Sequence, residues 1–331
     1  GGAGSGKSYV LNHQIVREAA GHPEETYILI VPEQFTMETQ KALVDAHPGH
    51  SILNIDIVSF ERLAFRVFEE LSCAPQTILD DTGKSMLLRK ACAGIEKKLE
   101  IYGRHLNRPG FIEELKSMMS EFGQYRIGEE ELERLEEQTK SRPLLHSKLK
   151  DLRLLFGAFR AAMGEGMITA EELLPVLCRV LPRSRKIRGS VIALDGFTGF
   201  TPAQYEVLEL LLRYGKRMIV SVTVDPGAEP YREGRSSDLF ALSRKTIAAL
   251  ERLAGEARTD REQDICLSPE RPPRFVRSGE LAFLSEQLLR RSGRSWEEEP
   301  RDIHLYAEEN PEKECLALVQ KIAWLEREKH Y

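Results

Sequence analysis

The segment Gly1-Gly-Ala-Gly-Ser-Gly-Lys-Ser8 constrains this chain more than any other. It fits the spacing G-x-x-x-x-G-K-[ST] through Gly1, Gly6, Lys7 and Ser8, and Gly4 adds a further glycine inside the loop. Glycines allow consecutive backbone N–H groups to curl around phosphate oxygens, and a helix starting at the lysine presents its positive end to the same anion. In such a loop Lys7 reaches the β- and γ-phosphates and the Ser8 hydroxyl holds Mg²⁺. A chance match in a chain of this length has odds of about one in a hundred. The competing reading is an ordinary glycine-rich turn, and the helix and buried strand expected directly after the loop argue against it.

From Lys7 the apolar residues Leu11, Ile15 and Ala19 recur four apart, which predicts a helix that stops at Gly21 and Pro23. Residues 27–31 (YILIV) form the short continuous apolar run of a buried parallel strand, ended by Pro32. A helix over about 37–46, a β-rich segment over 52–58 and a helix over about 60–71 follow. This alternation predicts crossover units on a parallel sheet, the α/β P-loop NTPase class.

The register changes over 80–180, where long amphipathic segments at 86–99, 111–122 and 144–163 carry no convincing strand, so an all-helical insertion is expected. Thr169 with Glu172 three residues on is a capping box that starts its last helix. A second G-K-S, at 83–85, has Ile78 where the partner glycine belongs and reads as a polar helix start. Strands are expected again at 190–194 and 217–224, around a helix at about 202–214. Beyond them a polar loop over 227–237, a helix over 238–253, a connector over 254–277, a helix near 280–291, a strand over 302–306 and a helix over 311–327 are predicted. The expected division is a P-loop lobe at 1–75 and 186–295, a helical insertion domain at 76–185, and the start of a second lobe at 296–331.

Length and composition fit this picture. The chain's 331 residues exceed what one core usually holds, and 41% hydrophobic with 30% charged residues is ordinary for a globular protein. No apolar run approaches the roughly 20 residues of a spanning helix, so no membrane partner is expected. The chain opens directly in the loop, without a basic and then apolar leader, which predicts the cytoplasm. Five cysteines, Cys73, Cys92, Cys178, Cys266 and Cys315, show no metal-ligand spacing and read as plain thiols. A net charge of −5 gives no overall basic field and leaves a nucleic-acid partner open.

A nucleotide-hydrolysing P-loop protein also needs an acid at the end of a buried strand to hold Mg²⁺, and V-I-A-L-D puts Asp195 there. A strand-end aspartate that merely caps the next turn is the alternative. The following residue is Gly196, where many ATPases place a water-activating glutamate. Loss of a general base typically costs about 10² to 10⁴ in rate.

On these residues the chain resembles the superfamily 1 helicases, and within them the B subunit of the AddAB helicase–nuclease of bacterial recombination and repair. The resemblance spans nearly the whole chain. It rests on the loop at 1–8, on V-P-E-Q-F at 31–35, on V-S-F-E-R at 58–62, and most specifically on L-D-G-F-T-G-F-T-P-A-Q at 194–204. An active relative reads roughly D-E-x-Q-D where this chain has Asp195, Gly196, Phe197, Thr198 and Gly199. Val222-Thr-Val-Asp225 falls where active helicases carry G-D-x-x-Q, without the glutamine.

The resemblance implies the N-terminal helicase-like domain of an AddB-type subunit: a RecA-like lobe with an inserted helical domain. It would bind ATP and Mg²⁺ through Gly1, Gly4, Gly6, Lys7, Ser8 and Asp195 but, as a hydrolytically degenerate lobe, supply no catalytic residue. It further implies a heterodimer with an AddA-type motor subunit that processes double-stranded DNA breaks and responds to Chi sequences. The nuclease domain and an iron–sulfur cluster are expected in a distant C-terminal region, since no cysteine here fits the ligation pattern. Single-stranded DNA would cross the loops after the second and third strands, which carry Gln34, Phe35 and Thr36, then Ser59, Phe60 and Arg62. Phe35 and Phe60 could stack on bases and Arg62 could meet a phosphate, or both rings could simply staple their helices to the core. Two rivals stay open. One is an active P-loop ATPase or kinase, for which Asp225 is the nearby candidate base, and the other is a structural module with a vestigial nucleotide site.

Overall fold

The computed structural model describes residues 1–331 except 74–76, 107, 165–166, 226–228, 232–234, 236, 268–271, 289, 291–292 and 330–331. From the loop the chain enters α1 (Lys7–Gly21), β1 (Thr26–Ile30), α2 (Thr36–Ala46), β2 (Ile55–Val58) and α3 (Phe60–Glu70). The inserted region follows with β3 (Thr77–Leu79), α4 (Asp81–Ile95), α5 (Phe111–Gln124), α6 (Glu129–Gln138), α7 (Pro143–Met163), β4 (Met167–Thr169), α8 (Leu173–Val180) and α9 (Arg185–Arg188). Then come β5 (Ser190–Leu194), α10 (Pro202–Tyr214), β6 (Arg217–Val220), α11 (Ala241–Ala257), α12 (Gly279–Gln287) and α13 (Pro311–Lys329). Two compact units result, one of Gly1 with Lys7–Leu267 and one of Gly2–Gly6 with Ser268–Tyr331.

The first unit is built on a mixed α/β frame whose main sheet is parallel, in the order β2-β1-β5-β6. β1 and β5 are central and buried on both faces, which is why they read as unbroken apolar runs. Their alternate residues divide between two cores. Ile28, Ile30, Ile192 and Leu194 face one layer with Phe60, Leu63 and Val67 of α3, Leu177 of α8 and Val207, Leu208 and Leu211 of α10. Tyr27, Leu29, Val191 and Ala193 face the other, with Leu11, Ile15 and Ala19 of α1 and Leu43 of α2. At roughly 1.5–3 kcal/mol per fully buried aliphatic or aromatic side chain, these layers fix the sheet and so fix the ends of its strands, where the candidate site lies.

The inserted region has its own core, formed by Leu88 and Cys92 of α4, Ile112, Leu115 and Met119 of α5, and Leu152, Leu155 and Phe159 of α7. It is not all-helical as expected. β3 and β4 pair in parallel, Thr77 opposite Met167 and Leu79 opposite Thr169. Three residues carry too little alternation to announce a strand, so the ladder is set by long-range pairing that composition does not encode. The capping box is present: the Thr169 N–H donates to Glu172 Oε2 at 2.9 Å and opens the turn into α8. Residues 83–85 sit in the first turn of α4, whose N-cap Asp80 accepts the Gly83 N–H at 2.7 Å.

Two further expectations need correction. The strand predicted over 217–224 ends at Val220, and 221–225 continue without regular structure. The strand predicted over 302–306 does not form in the second unit. The Glu280 carboxylate accepts the Asp302 and Ile303 N–H groups at 2.9 and 3.2 Å, and that of Arg301 as well, so these donors are capped by a side chain rather than a neighbouring strand. Leu305 is 97% exposed. No helix among the described residues is long and apolar enough to cross a membrane.

Candidate nucleotide and nucleic-acid site

α1 begins at Lys7, so Lys7 and Ser8 open the helix that the glycine loop feeds. Gly4 and Gly6 lie at φ +70° and +89°, left-handed backbone that side-chain-bearing residues rarely adopt. At Gly6 a Cβ would meet nothing within 4 Å, so the demand there is purely conformational. At Gly4 space matters too. A Cβ would come within 3.0 Å of Arg274 Cβ and 3.1 Å of the Phe275 ring, and the Arg274 N–H donates to the Gly4 carbonyl at 3.4 Å.

Lys7 is partly buried. Burial holds its ammonium below the usual lysine range, and the negative charge of Asp195 partly restores it. Asp195 follows β5 directly and is 9% exposed. Its N–H donates to the Ile30 carbonyl at 3.1 Å, and its carboxylate accepts the Ser221 hydroxyl. Ser8 is exposed. Thus a lysine opens the helix that follows the glycine loop, and a nearly buried carboxylate stands at the end of the central strand β5. Asp225, the candidate base of the rival reading, lies five residues beyond the end of β6.

The loops after β1 and β2 lie at the same end of the sheet. Residues Glu33–Phe35 form a single 3-10 turn before α2, and Ser59 caps α3, its hydroxyl accepting the Arg62 N–H at 3.3 Å. Arg62 joins the two loops through an ion pair with Glu33 at 2.8 Å, with both side chains more than half exposed. Phe35 is 40% exposed and flanks Gly196, where a Cβ would stand 3.6 Å from its ring. Phe60 is only 5% exposed. Its ring packs edge-on against Phe197 and Phe200 at centroid distances of 5.6 and 6.2 Å, and Phe200 continues to Tyr205 at 5.6 Å. Of the two proposed stacking rings, then, Phe35 offers a surface and Phe60 is a core residue. All five cysteines are free thiols, and burial pushes Cys92 and Cys178 up to about 11.

Two features of this end of the sheet are not evident from the sequence. One is the aromatic cluster of Phe197, Phe200 and Tyr205, whose signal is the F-T-G-F-T string itself. The other is Ser221, a lone serine after an apolar strand, which is too common a pattern to stand out.

The chain matches the family described as "ADDB, N-terminal" over residues 1–285. It is 38% identical over its whole length to the B subunit of the ATP-dependent helicase/deoxyribonuclease of Lachnoclostridium phytofermentans, covering 29% of that protein. It is 31% identical, again over its whole length, to the protein of the same name from Caldanaerobacter subterraneus subsp. tengcongensis, covering 28% of it. To the one from Desulforudis audaxviator it is 33% identical over 99% of the chain, covering 28%. The chain therefore spans less than a third of the relatives it matches.

Proposed function

The chain belongs to the AddB N-terminal family, and from that premise we propose that it is a RecA-like P-loop lobe that binds Mg–ATP without hydrolysing it efficiently and grips single-stranded DNA. The observation that carries the reading is geometric: the G-x-x-x-x-G-K-S sequence runs into α1 at Lys7, and the central strand β5 ends at the nearly buried Asp195 carboxylate, which the Ser221 hydroxyl holds. Those residue types fit a nucleotide: Lys7 would meet the phosphates, Ser8 and Asp195 would hold the cation, and the glycines of the motif are the residues a phosphate-wrapping loop requires. Bound Mg²⁺ would neutralise phosphate charge. At Gly196 no side chain can orient water for attack, which supports occupancy rather than turnover as the role of the site.

Phe35 and Arg62, exposed on adjoining loops, support the DNA reading, with Phe35 offering a stacking face and Arg62 a phosphate contact. In the intact protein the lobe would work in the cytoplasm beside an AddA-type motor subunit, in a helicase–nuclease that repairs double-strand breaks and answers to Chi. Its iron–sulfur cluster would belong to the C-terminal region. Thermal melting of the intact subunit with Mg–ATP tests the central claim. Occupancy at 100 times Kd adds about 2.7 kcal/mol, so wild type should melt higher with nucleotide and the Lys7→Ala variant should not. Equal melting in both, with and without nucleotide, would leave the loop a vestige.

A further inference from the structure

Ser221 is the first residue after β6, and it makes two separate contacts with the end of β5. Its N–H donates to the Leu194 carbonyl at 2.9 Å, which prolongs the β5–β6 ladder by one residue. Its hydroxyl donates to Oδ1 of Asp195. Three residues on, the Val224 N–H donates to the Gly1 carbonyl at 3.1 Å. The short segment 221–224 thus touches both the strand-end carboxylate and the first residue of the glycine loop.

The division of labour within Ser221 matters. Its backbone N–H serves the sheet, while its hydroxyl serves the carboxylate. Asp195 is nearly buried and tethered through its own N–H to Ile30, so its side-chain rotation is the freedom left to it. A hydroxyl proton on one oxygen removes that freedom and leaves the second oxygen as an acceptor. Outer partners of this kind set the orientation and affinity of carboxylates that ligate metals.

We propose that Ser221 is a positioning residue for magnesium: its hydroxyl fixes the Asp195 carboxylate so that the remaining oxygen takes the cation of a bound Mg–nucleotide. This rests on the nucleotide reading above. Ser221→Ala removes the hydroxyl alone and keeps the ladder hydrogen bond. Ser221→Thr keeps a hydroxyl on a residue suited to a strand end. Ser221→Cys keeps the size but weakens the donor.

The test is titration of ADP into the intact subunit, in Mg²⁺ and in EDTA, with Lys7→Ala measured in parallel as background. Wild type should bind ADP more tightly with Mg²⁺ than with EDTA. Ser221→Ala should lose about tenfold or more of the magnesium-dependent affinity, in the range typical of outer-layer partners, with the EDTA value unchanged. Ser221→Cys should lose in the same sense and Ser221→Thr should retain the wild-type ratio. An unaltered ratio in both Ser221→Ala and Ser221→Cys overturns the proposal, as does a loss that is equal in Mg²⁺ and EDTA. Wild-type binding no stronger than the Lys7→Ala background would instead overturn the nucleotide reading itself and this inference with it.

Discussion

Lys84 lies in the interior of the inserted region with its ammonium 2.8 Å from Oε1 of Glu171 and 2.7 Å from the Ser120 hydroxyl. The two charged side chains are 5% and 13% exposed, and through them α4, α5 and the turn after β4 meet at one cation. Removing one member of a buried pair leaves the other uncompensated, at a cost of about 3–5 kcal/mol. Lys84→Ala should lower the unfolding free energy by that amount in denaturant titration. The double change Lys84→Met with Glu171→Leu should recover much of it, because well-packed apolar substitutes for a buried pair are often neutral. A loss below about 1 kcal/mol in the single variant would mean the pair behaves as a surface salt bridge.

The same pair makes stability depend on pH. Burial pushes the Glu171 carboxyl up, but hydrogen bonds from Lys84 and Ser120 more than offset it and bring it down to about 2. The unfolded carboxyl titrates near its ordinary value of about 4.3, so on acidification the unfolded chain takes up the proton first. The contribution of Glu171 is therefore complete above the unfolded value and is lost as pH falls from about 5 towards about 2. Unfolding midpoints of wild type and Glu171→Gln should converge over that window. Curves that stay parallel would assign the acid sensitivity to other carboxyls.

Gly196 bears on the proposed lack of efficient hydrolysis. Its φ is +79°, and a Cβ there would stand 3.3 Å from Pro32 Cδ. An L-residue in this conformation costs about 1–2 kcal/mol. Gly196→Glu should accordingly melt lower than wild type and still release no phosphate from ATP, because the backbone that would aim the carboxylate has been built for glycine. Steady turnover near about 1 s⁻¹ in the isolated wild-type subunit, abolished by Lys7→Ala, would contradict the degenerate reading.

The elements legible in the sequence are those whose burial is written in their own residues. The runs at β1 and β5 are apolar throughout, and α1, α3 and α10 show one apolar face each, so their places can be read directly. β3 and β4 exist by pairing with each other and leave no trace in their three-residue sequences. α6, with the sequence EEELERLEEQ, buries Leu132 and little else, so it has no apolar stripe by which to be read. Lys84 shows the opposite failure, a polar helix-start residue that is buried because Glu171, distant in the chain, neutralises it. At the candidate site, Lys7 stands out by motif spacing and Asp195 by its place directly after an apolar run. The hydroxyl of Ser221 becomes informative only when β6 lies beside β5.

The DNA reading can be separated from the packing reading residue by residue. Phe60 is buried among Phe197, Phe200 and the α3 core, so Phe60→Ala should cost about 3–5 kcal/mol of stability. Any loss of DNA binding in that variant would follow from unfolding. Phe35 is exposed enough that its truncation should leave the melting temperature close to wild type, while base stacking, worth about 1–3 kcal/mol, disappears from the affinity for single-stranded DNA. Arg62 already pairs with Glu33 on the surface, an interaction worth about 1 kcal/mol or less, so a phosphate can compete for it at little cost. Arg62→Ala should then weaken binding uniformly across sequences and flatten the salt dependence by about one counterion. Glu33→Gln provides the internal control, since it releases Arg62 from its partner and removes a negative charge from the strand's path, and binding should tighten. If Phe35→Ala and Arg62→Ala both keep wild-type affinity and salt slope in the intact complex, these loops do not lie on the DNA path, and the exposed ring of Phe35 beside Gly196 needs another explanation.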